Sequence, residues 1–137
     1  MIFPGRHNIV SLNKGHIDST GGRWLPPENL FNEDGLEWVL HSMRYPLFGF
    51  DPYPTLSQKA VLLAWTIIVD HVFNDGCKRT AMAALEIMLL TNRYKLTATD
   101  REIKDVALLI ADHSINGYIQ TEFLEWVRKN MSIVLTP

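Results

Sequence analysis

The chain has 137 residues, of which 47% are hydrophobic and 20% charged, with a formal net charge of −2. That is the size and make-up of one ordinary globular domain. It argues against disorder and against a surface built for nucleic acid or anionic membrane, so any anion site has to be local. The single cysteine, Cys77, cannot form an intramolecular disulfide. The start, Met1 to His7, lacks the basic end and apolar run of a signal peptide, and the apolar run from Ala60 to Val69 is too short to span a bilayer. The expectation is a cytoplasmic protein with no membrane partner.

In chain order, residues 1–26 mix Gly, Asn, His and Ser and end in Gly21-Gly22 and Pro26-Pro27, which leaves room for one short helix around 9–17. Leu36, Val39, Leu40 and Met43 recur at helical spacing, and Pro46 closes that segment. Residues 46–54 contain three prolines among large apolar residues and read as an extended hairpin or flap. Thr55 or Ser57 can cap the next helix, which runs from Lys59 to Asp70 and is apolar on most faces, as a central core helix is. Its Ile67-Ile68-Val69 end would also suit a strand, but length and the absence of alternation favour helix. Further helices are expected over 79–91, 100–113 and 119–130, with a turn at Asn116-Gly117. The fold class is therefore all-α: a helical bundle with a central buried helix, one short extended or β-hairpin flap and little strand.

The chemistry lies in His71-Val-Phe-Asn-Asp-Gly-Cys-Lys-Arg-Thr80, between the two most apolar helices. A glycine just before a helix exposes backbone N–H groups at the positive end of the helix dipole, which suits phosphate. Lys78 and Arg79 add two cations, and Arg can grip phosphate oxygens in bidentate fashion. Asp75 is the kind of hard carboxylate that Mg²⁺ takes alongside phosphates and water. His71 can accept a proton near neutral pH. Together these groups suit phosphoryl or nucleotidyl transfer, where the protein mostly positions groups and neutralises charge.

This stretch resembles the Fic/Doc signature, His-x-Phe-x-Asp/Glu-Gly/Ala-Asn-Gly/Lys-Arg. Leu36 to Leu40, Leu47 to Gly49, Tyr53 to Leu56 and Lys59-Ala60 are similar to the death-on-curing (Doc-like) branch, so the resemblance covers residues 30–130. The resemblance implies a single Fic-like domain over 1–137, with its core at 31–131 and nothing carried over for the first 30 residues. It makes His71 the general base, Asp75 the Mg²⁺ ligand, the backbone of Gly76, Cys77 and Lys78 the anion hole, and Arg79 the catalytic phosphate-neutralising residue. Phe73 would anchor the loop. Leu47, Phe48, Gly49, Phe50 and Tyr53 would form the flap that holds a target segment as an added strand. The implied substrate is ATP and the cofactor Mg²⁺. Lys78, where other members have glycine, points to a Doc-like toxin that transfers the γ-phosphate to a hydroxyl of a protein such as elongation factor Tu, under a Phd-like antitoxin. An AMP transferase and an impaired binding module are the alternatives, and an oligomer is left open.

Cys77 is the departure, because the family has asparagine there. Loss of an anion-hole amide costs about 3–4 kcal/mol, or 10²–10³ in rate, which makes Cys77 the mark of a weakened enzyme, a degenerate one, or a substituted position. The adjacent cations and helix start leave a low-pKa thiolate conceivable, although the resemblance gives such a thiolate no role. The family's inhibitory Ser/Thr-x-x-x-Glu-Gly/Asn helix is read as absent, since Thr121 and Glu125 are followed by Trp126. His7, His16, His41 and His113 have no ligand spacing, and Trp24, Trp38, Trp65 and Trp126 are expected in the core.

Overall fold

The computed structural model describes residues 1–135. It contains seven helices and one small antiparallel sheet: α1 (Arg6–Thr20), α2 (Glu33–Arg44), α3 (Leu56–Val69), α4 (Cys77–Thr91), β1 (Tyr94–Leu96), α5 (Asp100–Ala111), α6 (His113–Asn116), α7 (Gln120–Lys129) and β2 (Met131–Ile133). This is the expected all-α bundle.

The axis of the bundle is α3, which is buried from Ala60 through Ala64 and again at Thr66, Ile67 and Ile68. A helix apolar on every side has to be wrapped by others. It packs on α2, α4, α5 and α7, and α1 leans on α4. Thr55 caps α3 in a reciprocal box with Gln58, so of the two capping candidates the chain uses Thr55. Thr99 and Glu102 start α5 in the same way, and Asn32 caps α2 by accepting from the Gly35 N–H at 3.0 Å.

Three expectations change in detail. The first helix is longer than the 9–17 segment because His7, Ser11, Gly15 and Ser19 lie on its solvent side, while Ile9, Asn13 and Ile17 face inward. The 100–113 helix stops at Ala111, and a separate turn of helix, α6, ends at Gly117 in the left-handed region (φ 75°). The strand pair was not foreseen. Three-residue strands carry too short a pattern to read, and β1 exists because β2 returns beside it with Lys95 opposite Ser132.

The tryptophans also divide. Trp65 and Trp126 pack against the core, but Trp38 is 51% exposed and Trp24 is half-buried outside the core, with the Lys14 ammonium 4.9 Å from its ring. Trp38 is two residues from Leu36, about 200° around the helix, so the inward stripe of Leu36, Val39, Leu40 and Met43 excludes it.

The expected flap is present as a minimal hairpin. Leu47 and Phe50 exchange both backbone hydrogen bonds at 2.8 Å across Phe48 (φ 51°) and Gly49 (φ 78°). Two positive φ values make a type I′ turn, and Phe48 at its tip is fully solvent-exposed.

Candidate active site

The loop between α3 and α4 is held from two sides. Its core anchor is Phe73, 2% exposed, which pairs in a single bridge with Leu30. The segment that follows α1 runs alongside: the N–H groups of Phe31 and Asn32 donate to the Val72 carbonyl, and that of Asn74 donates to the Asn29 carbonyl at 2.9 Å. Underneath, the fully buried Asn13 donates to the Asp75 carbonyl at 2.8 Å and to the Thr80 hydroxyl at 3.1 Å, and it accepts from the buried Asn29 amide at 2.9 Å. Buried amides are costly unless satisfied. In this network every member has partners.

Gly76 then turns the chain into α4 at φ 79°, and a side chain there would meet the Asn13 amide at 2.9 Å. Both the left-handed conformation and the close approach require glycine. Beyond it, the N–H groups of Cys77, Lys78 and Arg79 have no acceptor among the described residues. These are the unpaired donors of a helix start, aimed at an open cleft of about 450 Å³. The cleft is bounded on one side by Asp75, Gly76, Cys77, Lys78 and Arg79 and on the other by the end of α1, from His16 to Gly22.

Asp75 is oriented by two backbone donors, Gly76 N–H to Oδ1 and Arg23 N–H to Oδ2, both at 2.8 Å. Gly22 passes so close that a Cβ would lie 2.8 Å from Asp75 Oδ2. Among the described residues no three His, Cys, Asp or Glu side chains converge as a metal cage. A cation held here would rest on Asp75, with phosphate oxygens and water completing the shell. That donor set fits Mg²⁺, which seldom uses an all-protein cage. Arg79 is steadied by the Thr20 hydroxyl, so the end of α1 supports both the carboxylate and the guanidinium.

Cys77 does not behave as its position suggested. Its thiol turns back onto the loop, donating to the Phe73 carbonyl at 3.2 Å and receiving the Phe73 N–H at 3.4 Å. It therefore acts as a staple on the loop, and what it offers an anion is its backbone N–H. Burial pushes the thiol pKa up, against the lowering effects of the Phe73 N–H and Lys78, so the helix start does not favour a thiolate here. Desolvation outweighs the nearby cation.

The sequence-predicted residues thus separate into groups. Asp75, Gly76, Cys77, Lys78 and Arg79 line one cleft. His71 is exposed, just past the end of α3, with φ 48°, and it does not line that cleft. The flap is tied to the opposite end of α3. The Asp51 carboxylate meets the buried Lys59 ammonium at 2.8 Å, and from Lys59 to Asp70 the helix rises roughly 17 Å. Leu47, Phe48 and Phe50 are exposed, whereas Tyr53 packs against the core. Thr121 and Glu125 lie on α7 and do not border the cleft.

The site residues missed from sequence are Asn13, His16, Thr20, Gly22 and Asn29. Only the Gly21-Gly22 pair left a signal, and it read simply as a break. Asn13 and Thr20 are single polar residues whose hydrogen-bond partners lie about 60 positions away, Asn29 pairs with Asn13 and holds Asn74 through its carbonyl, and His16 is marked only by the cleft it lines.

Among the described residues, seven helices with α3 at their centre bring a glycine-led helix start and a carboxylate to one cleft. The Fic/DOC family model matches residues 7–89, more than half of the chain, and the protein belongs to that family. The matched region includes α1, in agreement with its part in the site. No curated protein matches the chain. No described helix is long and apolar enough to cross a membrane.

Proposed function

We propose that this Fic/DOC transferase moves the γ-phosphate of ATP onto a hydroxyl of a protein target. The observation that carries the reading is the convergence, in one cleft, of unpaired N–H groups, Lys78, Arg79 and the doubly oriented Asp75. In this reading Cys77 to Arg79 hold the transferred phosphate, and Arg79 neutralises charge as it develops. Asp75 would hold Mg²⁺, which would screen the phosphate oxygens when bound. His71 takes the proton of the target hydroxyl, the hydroxyl oxygen bonds to the γ-phosphorus, and ADP leaves with the electrons of the broken P–O bond.

Lys78 favours the kinase over AMP transfer by resemblance to the Doc-like branch, whose members are similar to toxins that act on elongation factor Tu. The exposed Leu47, Phe48, Gly49 and Phe50 are the proposed target contacts, with Tyr53 seating the hairpin. Restraint is assigned to a separate Phd-like antitoxin, because the nearest match to an internal inhibitory helix lies on α7, away from the cleft.

The test is incubation of the protein with Mg²⁺, a bacterial lysate and ATP labelled at either the γ or the α phosphate, beside His71→Ala. Label from the γ position alone, lost in His71→Ala, supports the kinase. Label from the α position makes it an AMP transferase. No label from either would leave only a binding module.

A further inference from the structure

The phosphate cleft does not end at Arg79. A second groove of about 560 Å³ runs on between α4 and α5, floored by Met82, Ile103 and Ala107, with the carboxylates of Glu86 and Asp100 along it. The two cavities share His16, Lys78 and Arg79 in their walls. Charge orients any anionic ligand spanning them. Lys104 also lines the groove, but two carboxylates offset it there, whereas Lys78 and Arg79 stand beside the unpaired N–H groups of the helix start. Phosphates therefore belong at the Lys78–Arg79 end, and the apolar floor suits a flat, weakly polar group.

His16 stands at that junction on a part of α1 that cannot drift. Its neighbours Asn13 and Ile17 are buried against the Gly76 turn. Its own carbonyl accepts from the Thr20 hydroxyl at 2.7 Å, and that hydroxyl accepts from the Arg79 guanidinium. The half-buried imidazole itself has no hydrogen-bond partner among the described residues. A backbone fixed beside two cations, carrying a ring with both nitrogens uncommitted, is equipped to donate to an anion passing between the cavities.

We propose that His16 is a phosphate-binding residue, contacting the phosphate chain of a nucleotide where it crosses from the Asp75–Arg79 cleft towards the α4–α5 groove; this rests on the nucleotide reading of the cleft. His16 holds the chain and takes no part in proton transfer, so it sets nucleotide affinity and leaves target affinity unchanged.

Calorimetric titration with MgATP and with magnesium tripolyphosphate, on the wild-type protein, His16→Ala and His16→Gln, tests this. Loss of one such contact should weaken both ligands roughly fivefold to tenfold in His16→Ala. The melting temperature should not change, and His16→Gln, which keeps a donor, should recover part of the loss. Equal affinity in wild type and His16→Ala overturns the assignment while leaving the nucleotide site standing. A loss for ATP alone puts His16 against the nucleoside and overturns its phosphate role. Failure of the wild type to bind either ligand overturns the nucleotide reading, and His16 with it.

Discussion

The Asn13 amide reaches across 62 positions of chain to hold the Asp75 carbonyl at 2.8 Å. The same amide group spans the Thr80 hydroxyl and the Asn29 amide, so one side chain of α1 braces the turn from which the anion donors project. Asn13→Leu would leave the partners of three hydrogen bonds buried and unpaired, at about 1–3 kcal/mol for each group that water cannot reach. With two of the three groups fully buried, urea unfolding should show a loss of about 2–6 kcal/mol. Amide exchange should quicken at Cys77 and Lys78 before it does so in α3; protection unchanged there would mean that the brace is dispensable.

Gly22 sits at φ 131°, where a Cβ would meet both Asp75 Oδ2 and Ile17 Cδ1 at 2.8 Å. Gly22→Ala should cost about 1–3 kcal/mol in strain and withdraw the Arg23 N–H from Asp75. Outer-shell donors of this kind typically account for 10–100-fold in metal affinity. Mn²⁺ titration in the presence of ATP, read by its paramagnetic signal, should show weakening of about tenfold or more. An unchanged affinity would show that the Gly76 N–H orients the carboxylate alone.

Because burial raises the pKa of the Cys77 thiol, little thiolate forms near neutral pH. Iodoacetamide should label the folded chain at least about tenfold more slowly than the urea-unfolded chain at pH 7.5, and the rate should still be climbing at pH values where an ordinary thiol has levelled off. Since the side chain faces Phe73 and not the cleft, Cys77→Asn should alter transfer by less than about tenfold, well short of the 10²–10³ expected for an anion-hole donor. A gain of a hundredfold would place the asparagine amide in the cleft.

Lys59 is buried at 4% exposure and bonded to Asp51, whose carboxyl it holds below the usual range, helped by the Tyr53 N–H. A depressed carboxyl contributes stability above its unfolded pKa of about 4, and loses it as pH falls through the lower folded value. The melting temperature should therefore hold down to about pH 4 and fall below it, while Asp51→Asn starts lower at neutral pH and falls less. The double variant Asp51→Asn, Lys59→Met should recover much of the loss, because an apolar replacement leaves no buried charge unpaired. Its amides at Leu47 and Phe50 should still exchange faster, since a two-bond hairpin does not stand alone.

The bundle was legible because its signals are local and redundant. The stripe of α2, the all-round apolarity of α3 and the Thr55 cap each depend on residues within a few positions of one another. The loop from His71 to Thr80 was legible for the same reason, since glycine, carboxylate and cations fall within ten consecutive residues. Tertiary structure decided what depends on distant partners: that Asn13 and Asn29 lie beneath the loop, that His16 and Gly22 face it, that the Cys77 thiol turns inward, and that the flap is bolted to the far end of α3. A polar residue on a helix has the same sequence signature whether it meets water or a buried carbonyl. Burial, which makes those two situations differ in energy, exists only once the chain has closed on itself.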